Sequence, residues 1–466
     1  MILKVENPAA DFFLRRRLLS AQRRSFSPAQ PSCHRRGVGL RKGLVPWKDT
    51  PRLLAPFDPD QPNAMPLVQA DLRGRRFLIV TAPFGGFGRL LAQAIVDRGG
   101  EVSRMIFNAG DLATWRRPGG VTFRDDVRRW PGRVRQLGNQ FTDIIVFGEG
   151  GPYNQGVLSQ AGTLNARVWV LENGYFRPDW ITLERNGVNG SSSLPRTAKG
   201  YATPGPELPV TRPVGRILPH HVVNISLYHA LQALGGVAFP RYRQPYTVSP
   251  WRQFFGHIRR YFGLATRTKH ACDADLIGGR GPFFIACLQR EGDAQLLRYS
   301  SYADNTAFLA EVMGSFARHA PKDCRLVVKN HPLDPGLSDL EHITRCLAIE
   351  RGLDDRVDFI DGGNLAQLCR ASRGMVVNNS SAALSALGFR TPVKVLGEAF
   401  FDFEGLTDQQ SLDGFWRAPV SADAHLFTAF RAHVIARSQI NGNYHEPRAM
   451  RPTAGLVADA FAARAD

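Results

Sequence analysis

The 466-residue chain lacks any run of about 18 uncharged apolar residues, so no segment is expected to cross a bilayer as a helix. The layout of a secretory signal is missing too: charges break every apolar stretch near the start, and Arg15, Arg16 and Arg17 occupy the place of an apolar core. Cysteine is scarce. The six (Cys33, Cys272, Cys287, Cys324, Cys346, Cys369) form no CxxC pair, which points to reduced, buried thiols and away from a zinc site or a disulfide framework. Neither GxGxxG nor a P-loop is present, so a nicotinamide cofactor or a P-loop NTPase is not supported. Carboxylates are short as well: 41 Asp and Glu face 59 Lys and Arg, a net charge of +18. Such an imbalance calls for an anionic partner: nucleic acid, an acidic membrane surface, or a phosphorylated or carboxylated substrate. No RRM, KH or zinc signature supports the first, and no nucleic acid is expected.

What is present is a globular composition, 43% apolar, with room for two or three domains. Residues 1–64 carry 12 Lys and Arg against 5 acids and eight prolines without a sustained period. Residues 1–70 are therefore expected to be a basic, disordered extension. Met65 stands just ahead of the first strand-like run and is a candidate start of translation, to be checked by mass spectrometry of native protein. Apolar runs at 77–80, 102–107, 144–147 and 168–171 read as strands buried on both faces. A second series follows at 283–288, 325–328, 357–360, 374–377 and 393–396, with helical windows at 304–319, 338–352, 364–372 and 380–388. This alternation predicts an α/β protein of GT-B-like layout, two Rossmann-like domains facing a cleft. The expected divisions are an N-terminal domain at 73–225, a linker at 226–275, a C-terminal domain at 276–415 and a helical segment at 416–466. In the linker, apolar residues at 251, 254, 255, 258, 261 and 262 alternate with Arg252, Arg259 and Arg260. That spacing suits a basic amphipathic helix on an anionic bilayer, or one docked on its own domain.

Sheets of this kind bind ligands beyond the carboxyl ends of their strands, so the post-strand loops hold the candidates. Gly85 and Gly86 follow the first strand and suit a close phosphate approach or a plain tight turn. Gly148-Glu149-Gly150-Gly151 follows the third. Glu172 to Glu184 follow the fourth and read as a loop, in which a carboxylate suits base or nucleophile work or braces Arg177. In the second half, Lys329 precedes His331-Pro332, a pair suited to holding or protonating a leaving phosphate. Ser380 and Ser381 are placed to cap the next helix or to hold a phosphate. Asp58-Pro59-Asp60 and Asp273-Ala274-Asp275 have DxD form but no strand behind them, and no metal or other cofactor is expected. A CMP-sugar leaves as a monophosphate that His and Ser donors can hold, so a CMP-sugar donor fits, with activity unchanged in EDTA.

The chain resembles bacterial capsule polysaccharide biosynthesis proteins of the KpsS/LipB type. The likeness lies in Ala82-Pro83-Phe84-Gly85, Phe107-Asn108-Ala109-Gly110-Asp111, Glu172-Asn173-Gly174-Tyr175-Phe176-Arg177-Pro178 with Thr182-Leu183-Glu184, Lys329-Asn330-His331-Pro332-Leu333-Asp334, and Asn379-Ser380-Ser381 through Phe415-Trp416. It implies a retaining β-Kdo transferase that moves Kdo from CMP-Kdo to a lysophosphatidylglycerol-type acceptor. The enzyme would be cytoplasmic and peripheral at the inner membrane face, beside other capsule synthesis and export proteins. On this resemblance Glu172 is the catalytic carboxylate, and Arg177 holds the Kdo carboxylate. His331 meets the CMP phosphate, with Lys329, Asn379, Ser380 and Ser381 around it. Gln289, Asp293 and Gln295 are further candidates. Asn173 stands where a second acid is expected, and an amide cannot act as a carboxylate nucleophile. The alternatives are a non-catalytic capsule assembly or export factor, a sialyl-type CMP-sugar transferase, and a UDP-sugar epimerase.

Overall fold

The computed structural model describes residues 70–203, 205–245, 252, 255–256, 259–260, 277, 279–292, 296 and 298–464. The readings on residues 1–64, on Asp273 to Asp275, and on Asp293 and Gln295 lie outside these residues. Each of the nine apolar runs forms a strand.

In the N-terminal half, β1 (Arg76–Ile79), β2 (Glu101–Ile106), β3 (Gly120–Thr122), β4 (Asp143–Phe147), β5 (Arg167–Asn173) and β6 (Trp180–Arg185) form a sheet in the order β3-β2-β1-β4-β5-β6. The first five are parallel, and β6 returns antiparallel to β5, with Leu171 opposite Leu183 and Glu172 opposite Thr182. The stretch read as one loop from 172 to 184 is therefore a hairpin, because Trp180, Ile181 and Leu183 supply enough buried apolar surface to extend the sheet. The helices of this half are α1 (Phe87–Val96), α2 (Ala109–Trp115), α3 (Trp130–Gly138), α4 (Pro152–Leu158) and α5 (Ile217–Leu234). Phe87, Leu91, Ala94 and Ile95 bury one stripe of α1. Asn108 caps α2 through Oδ1, which accepts from the N–H groups of Gly110 and Asp111 at 2.8 and 3.1 Å. Strand order reverses between β1 and β4, the place where such sheets open a crevice.

In the C-terminal half, β7 (Phe283–Cys287), β8 (Arg325–Lys329), β9 (Val357–Ile360), β10 (Gly374–Val377) and β11 (Val393–Val395) form an all-parallel sheet in the order β9-β8-β7-β10-β11. Successive side chains feed two different cores, Phe283, Ile285 and Met375 on one face and Phe284, Ala286 and Val376 on the other. A strand covered on both faces has to be apolar at every position, which explains the continuous runs. Helices α6 (Asn305–His319), α7 (Leu340–Glu350), α8 (Leu365–Ala371), α9 (Ala382–Gly388) and α10 (Leu412–Arg417) cover these faces, and the order reverses between β7 and β10.

The last segment does not stand apart. After α11 (Ala424–Ser438), β12 (Gln439–Asn441) pairs antiparallel with β6, and α12 (Pro447–Ala463) packs on α1. Phe461 meets Phe77 and Trp169, each with ring centroids 5.2 Å apart, so the carboxyl end completes the N-terminal core. Helix α5 likewise runs across the boundary expected at 225.

Candidate functional site

The strand ends of the C-terminal sheet converge on an amide network. Gln289, just past β7, donates from Nε2 to Asn379 Oδ1 at 2.5 Å and accepts from Asn378 Nδ2 at 3.0 Å. Asn379 in turn donates to the carbonyl of Tyr299 at 2.9 Å. Gln289 and Asn379, both read as ligand contacts, are buried and engaged with one another, while Asn378 Oδ1 is buried without a hydrogen-bond partner among the described residues. Ser380 Oγ accepts from the N–H of Ala382 at 3.3 Å, and Ser381 makes no side-chain cap bond. Only one of the two serines therefore serves the helix start.

One strand over, Lys329 closes β8 and donates from Nζ to the carbonyl of Gly362 at 2.7 Å. His331 follows on a loop pinned at three points. Its N–H donates to Asn330 Oδ1 at 2.8 Å, its Nδ1 accepts from the N–H of Leu333 at 3.1 Å, and its carbonyl accepts from Arg260 Nη2 at 3.0 Å. Because Nδ1 is an acceptor, the neutral ring carries its proton on Nε2. Burial, and then the charges of Arg177, Arg290, Arg260 and Lys329, push this imidazole down to about 3. Arg177 lies beyond β5 in the N-terminal half, so its influence joins the two sheets at His331. The charges of four cations thus reach one neutral imidazole, though one of them, Arg260, is itself paired with Asp361.

On the facing side, Glu172 Oε1 accepts from the N–H of Asn173 at 3.0 Å, and its carbonyl accepts from Tyr444 Oη at 2.9 Å. A Cβ on Gly148 would stand 3.0 Å from Glu172 Oε2, so the ends of β4 and β5 touch here. Arg177 donates from Nε to the carbonyl of Gly174 at 3.2 Å, which anchors its stem and leaves it more exposed than His331. Gly85 has φ +93°, and a Cβ there would stand 2.7 Å from Asn224, so α5 fills the space beside this turn. Gly86 faces open space.

The sequence alone assigned no role to three further charged residues, Glu149, Arg290 and Glu184. Glu149, after β4, accepts from Val188 N–H and from Tyr299 Oη, each at 3.0 Å, and so ties the two halves together. Its glycine-flanked position after a buried strand was the available signal. Arg290 follows Gln289, and its charge acts on His221, His229 and His331. Glu184 sits in β6, not in a loop, and accepts from Tyr175 Oη at 2.6 Å and from Ser192 Oγ at 2.5 Å. Burial pushes its carboxyl up to about 7. A raised carboxyl pKa favours the folded state below the unfolded value, so stability should fall by about 3 kcal/mol as pH rises from about 4.5 to about 7. Denaturant midpoints at pH 5 and pH 7.5 should show this difference in the native chain and lose it in Glu184→Gln.

Among the described residues of the stretch at 251–262, Arg252, Phe255 and Arg259 are exposed. Arg260 is not: it pairs with Asp361, with Nε 2.8 Å from Oδ2, and donates to the carbonyls of His331 and Pro332. Arg259 donates to the carbonyl of Gly336 at 2.6 Å. Arg260 thus serves the His331 loop, because a buried carboxylate and the loop carbonyls offer better partners than solvent, and Arg259 touches the same loop from an exposed position. Arg260→Ala would leave Asp361 buried without this cation. It should cost about 3–5 kcal/mol of stability in equilibrium unfolding, with Arg260→Lys recovering part.

The fold defines a class: a two-sheet α/β protein of GT-B layout. The chain belongs to the capsule polysaccharide biosynthesis protein family, whose sequence pattern matches residues 142–445. It is 31% identical over 399 residues to the capsule polysaccharide export protein KpsS of Escherichia coli, covering 83% of this chain and 100% of that one. It is 32% identical over 384 residues to the capsule polysaccharide modification protein LipB of Neisseria meningitidis serogroup B, covering 79% and 91%. A solved structure of Thermosulfurimonas dismutans KpsC, a beta Kdo 2,7 transferase, is similar over 84% of this chain and 99% of its own, at 13% identity and TM-score 0.38. No helix among the described residues is long and apolar enough to cross a membrane.

Proposed function

We propose that this chain is a glycosyltransferase that moves Kdo from CMP-Kdo, with retention and without a metal, to a lysophosphatidylglycerol-type acceptor at the inner face of the cytoplasmic membrane. The observation that supports the reading is the His331 loop, where Nδ1 accepts from Leu333 and leaves the proton on Nε2 while the charges of Arg177, Arg290, Arg260 and Lys329 reach the ring. A sugar nucleotide with a monophosphate leaving group and a carboxylated sugar brings two anions to one place. Lys329, Arg290 and the Nε2 proton of His331 suit the phosphate, joined by the hydroxyls of Ser380 and Ser381. Arg177 suits the Kdo carboxylate. Gln289, Asn378 and Asn379 hold the loops at the switch point. Kdo itself enters through the motifs around Glu172 and His331 and through membership of the capsule family.

In the transfer, the bond between the anomeric carbon and the phosphate oxygen breaks and a bond to the acceptor oxygen forms. The acceptor proton ends on CMP or on solvent. Retention needs two inversions, and Glu172 supplies the intermediate carboxylate, as in other retaining glycosyl transfers. Mass spectrometry of the product from CMP-Kdo and lysophosphatidylglycerol tests this: one added Kdo per lipid is expected, and CMP release with unmodified lipid would overturn it. A second reading, a binding component of export without transfer, is favoured by Asn173 and by the name of the Escherichia coli relative. Unmodified lipid with no CMP release would support it.

A further inference from the structure

Helix α5 is apolar on the side where the rule for a surface helix asks for polar residues. A helix on a water-facing surface turns its apolar stripe to the core and its polar side outward. Here the inward side is mixed, with Ile217, Ile225 and Leu231 beside polar groups: Tyr228 Oη donates to Asp111 at 2.9 Å, His221 Nδ1 lies 2.9 Å from His445 Nε2, and Asn224 fills the space beside Gly85. The outward side is apolar. Leu218, Val222, Val223, Leu227 and Leu234 are 44–83% exposed, and Val237 just beyond is 94% exposed. The helix contains no Asp, Glu, Lys or Arg, so no charged rim interrupts this face.

Charge identifies the occupant. Between Glu207 and Asp273 the chain has nine Lys and Arg and no carboxylate across 65 residues. Arg216 at the start of the helix and Arg241 and Arg243 beyond its end are exposed, and of these Arg241 lies 3.9 Å from the exposed Asp125. An apolar face framed by cations matches an anionic lipid surface, in which acyl chains take the apolar side and headgroups the arginines. A second copy of the chain would set cations against cations across a two-fold axis.

We infer that the outer face of α5 is the surface by which this protein docks on an anionic phospholipid bilayer. The inner face of the same helix carries Asn224 beside the Gly85 turn, and the charge of Arg290 reaches its His221 and His229, so docking there would bring these groups near the level of the headgroups. The inference extends the reading of a lipid acceptor, and its test needs no sugar nucleotide, so each can fail without the other.

The full-length protein should float with vesicles of phosphatidylethanolamine and phosphatidylglycerol, and a part of that binding should survive high salt. Val223→Asp combined with Leu227→Asp should lower the partition coefficient at least about tenfold and abolish the salt-resistant part. Val420→Asp, an exposed apolar site elsewhere, should leave it unchanged. Leu234→Asp alone, with melting curves for every variant, separates lost docking from lost folding. Unaltered flotation in folded variants would overturn the inference. So would a native dimer that the double variant splits, since the face would then be an interface between copies.

Discussion

His331→Ala should lower turnover of CMP-Kdo by about 10²–10⁴-fold, the usual contribution of a positioned acid–base group. In the free protein burial and four cations hold the ring neutral, with its proton on the nitrogen that faces away from Leu333. An arriving phosphate offsets those cations and raises the proton affinity of the ring. The departing oxygen then meets an imidazolium formed only when the nucleotide binds: the added proton enters at Nδ1 in place of the bond from Leu333, and Nε2–H donates to the oxygen. The same reasoning gives a binding signature: CMP should take up a proton on association, and its affinity should rise as pH falls toward 6. Titration calorimetry in buffers of different ionisation enthalpy measures the uptake. The nucleotide phosphate also titrates near pH 6, so the comparison is with His331→Gln, which should take up less. Equal uptake in both proteins would remove His331 from the phosphate site.

Glu172→Ala should reduce kcat by roughly a thousandfold or more while CMP binding stays near its native strength. That division follows from position: Glu172 closes β5 on the N-terminal side, whereas the cluster of Lys329 and His331 lies on the other sheet. Glu149→Gln is the informative partner. Glu149 accepts bonds from Val188 and Tyr299, so its amide variant should loosen the contact between the halves and lower the melting temperature more than kcat. A folded Glu149→Gln without activity, beside an active Glu172→Ala, would transfer the nucleophile role to Glu149.

Nine strands were legible because each is a short apolar run covered on both faces and closed by a turn. The others carried weaker signals. β3 has three residues on an exposed edge, and β6 reads Trp-Ile-Thr-Leu-Glu-Arg, whose polar members fitted a loop equally well. The post-strand positions of Glu172, Lys329, His331, Gln289 and the two serines could be read because parallel sheets offer ligands that one edge. What those side chains touch could not. Glu149 and Tyr299 are 150 residues apart in the chain, and Arg260 reaches Asp361 across 101. A basic amphipathic spacing says which residues share a helix face but not whether that face meets lipid or protein. For Arg260 it meets protein.

The return of β12 and α12 to the first sheet makes the molecule a clasp, not two beads on a string. A ribosome has made everything up to Asn441 before β6 gains its outer neighbour, and nearly the whole chain before Phe461 can seat on Phe77. The first half is thus the last to be finished. Either half produced as a separate fragment would expose an open seam, and shortening the tail would strike the opposite end of the molecule.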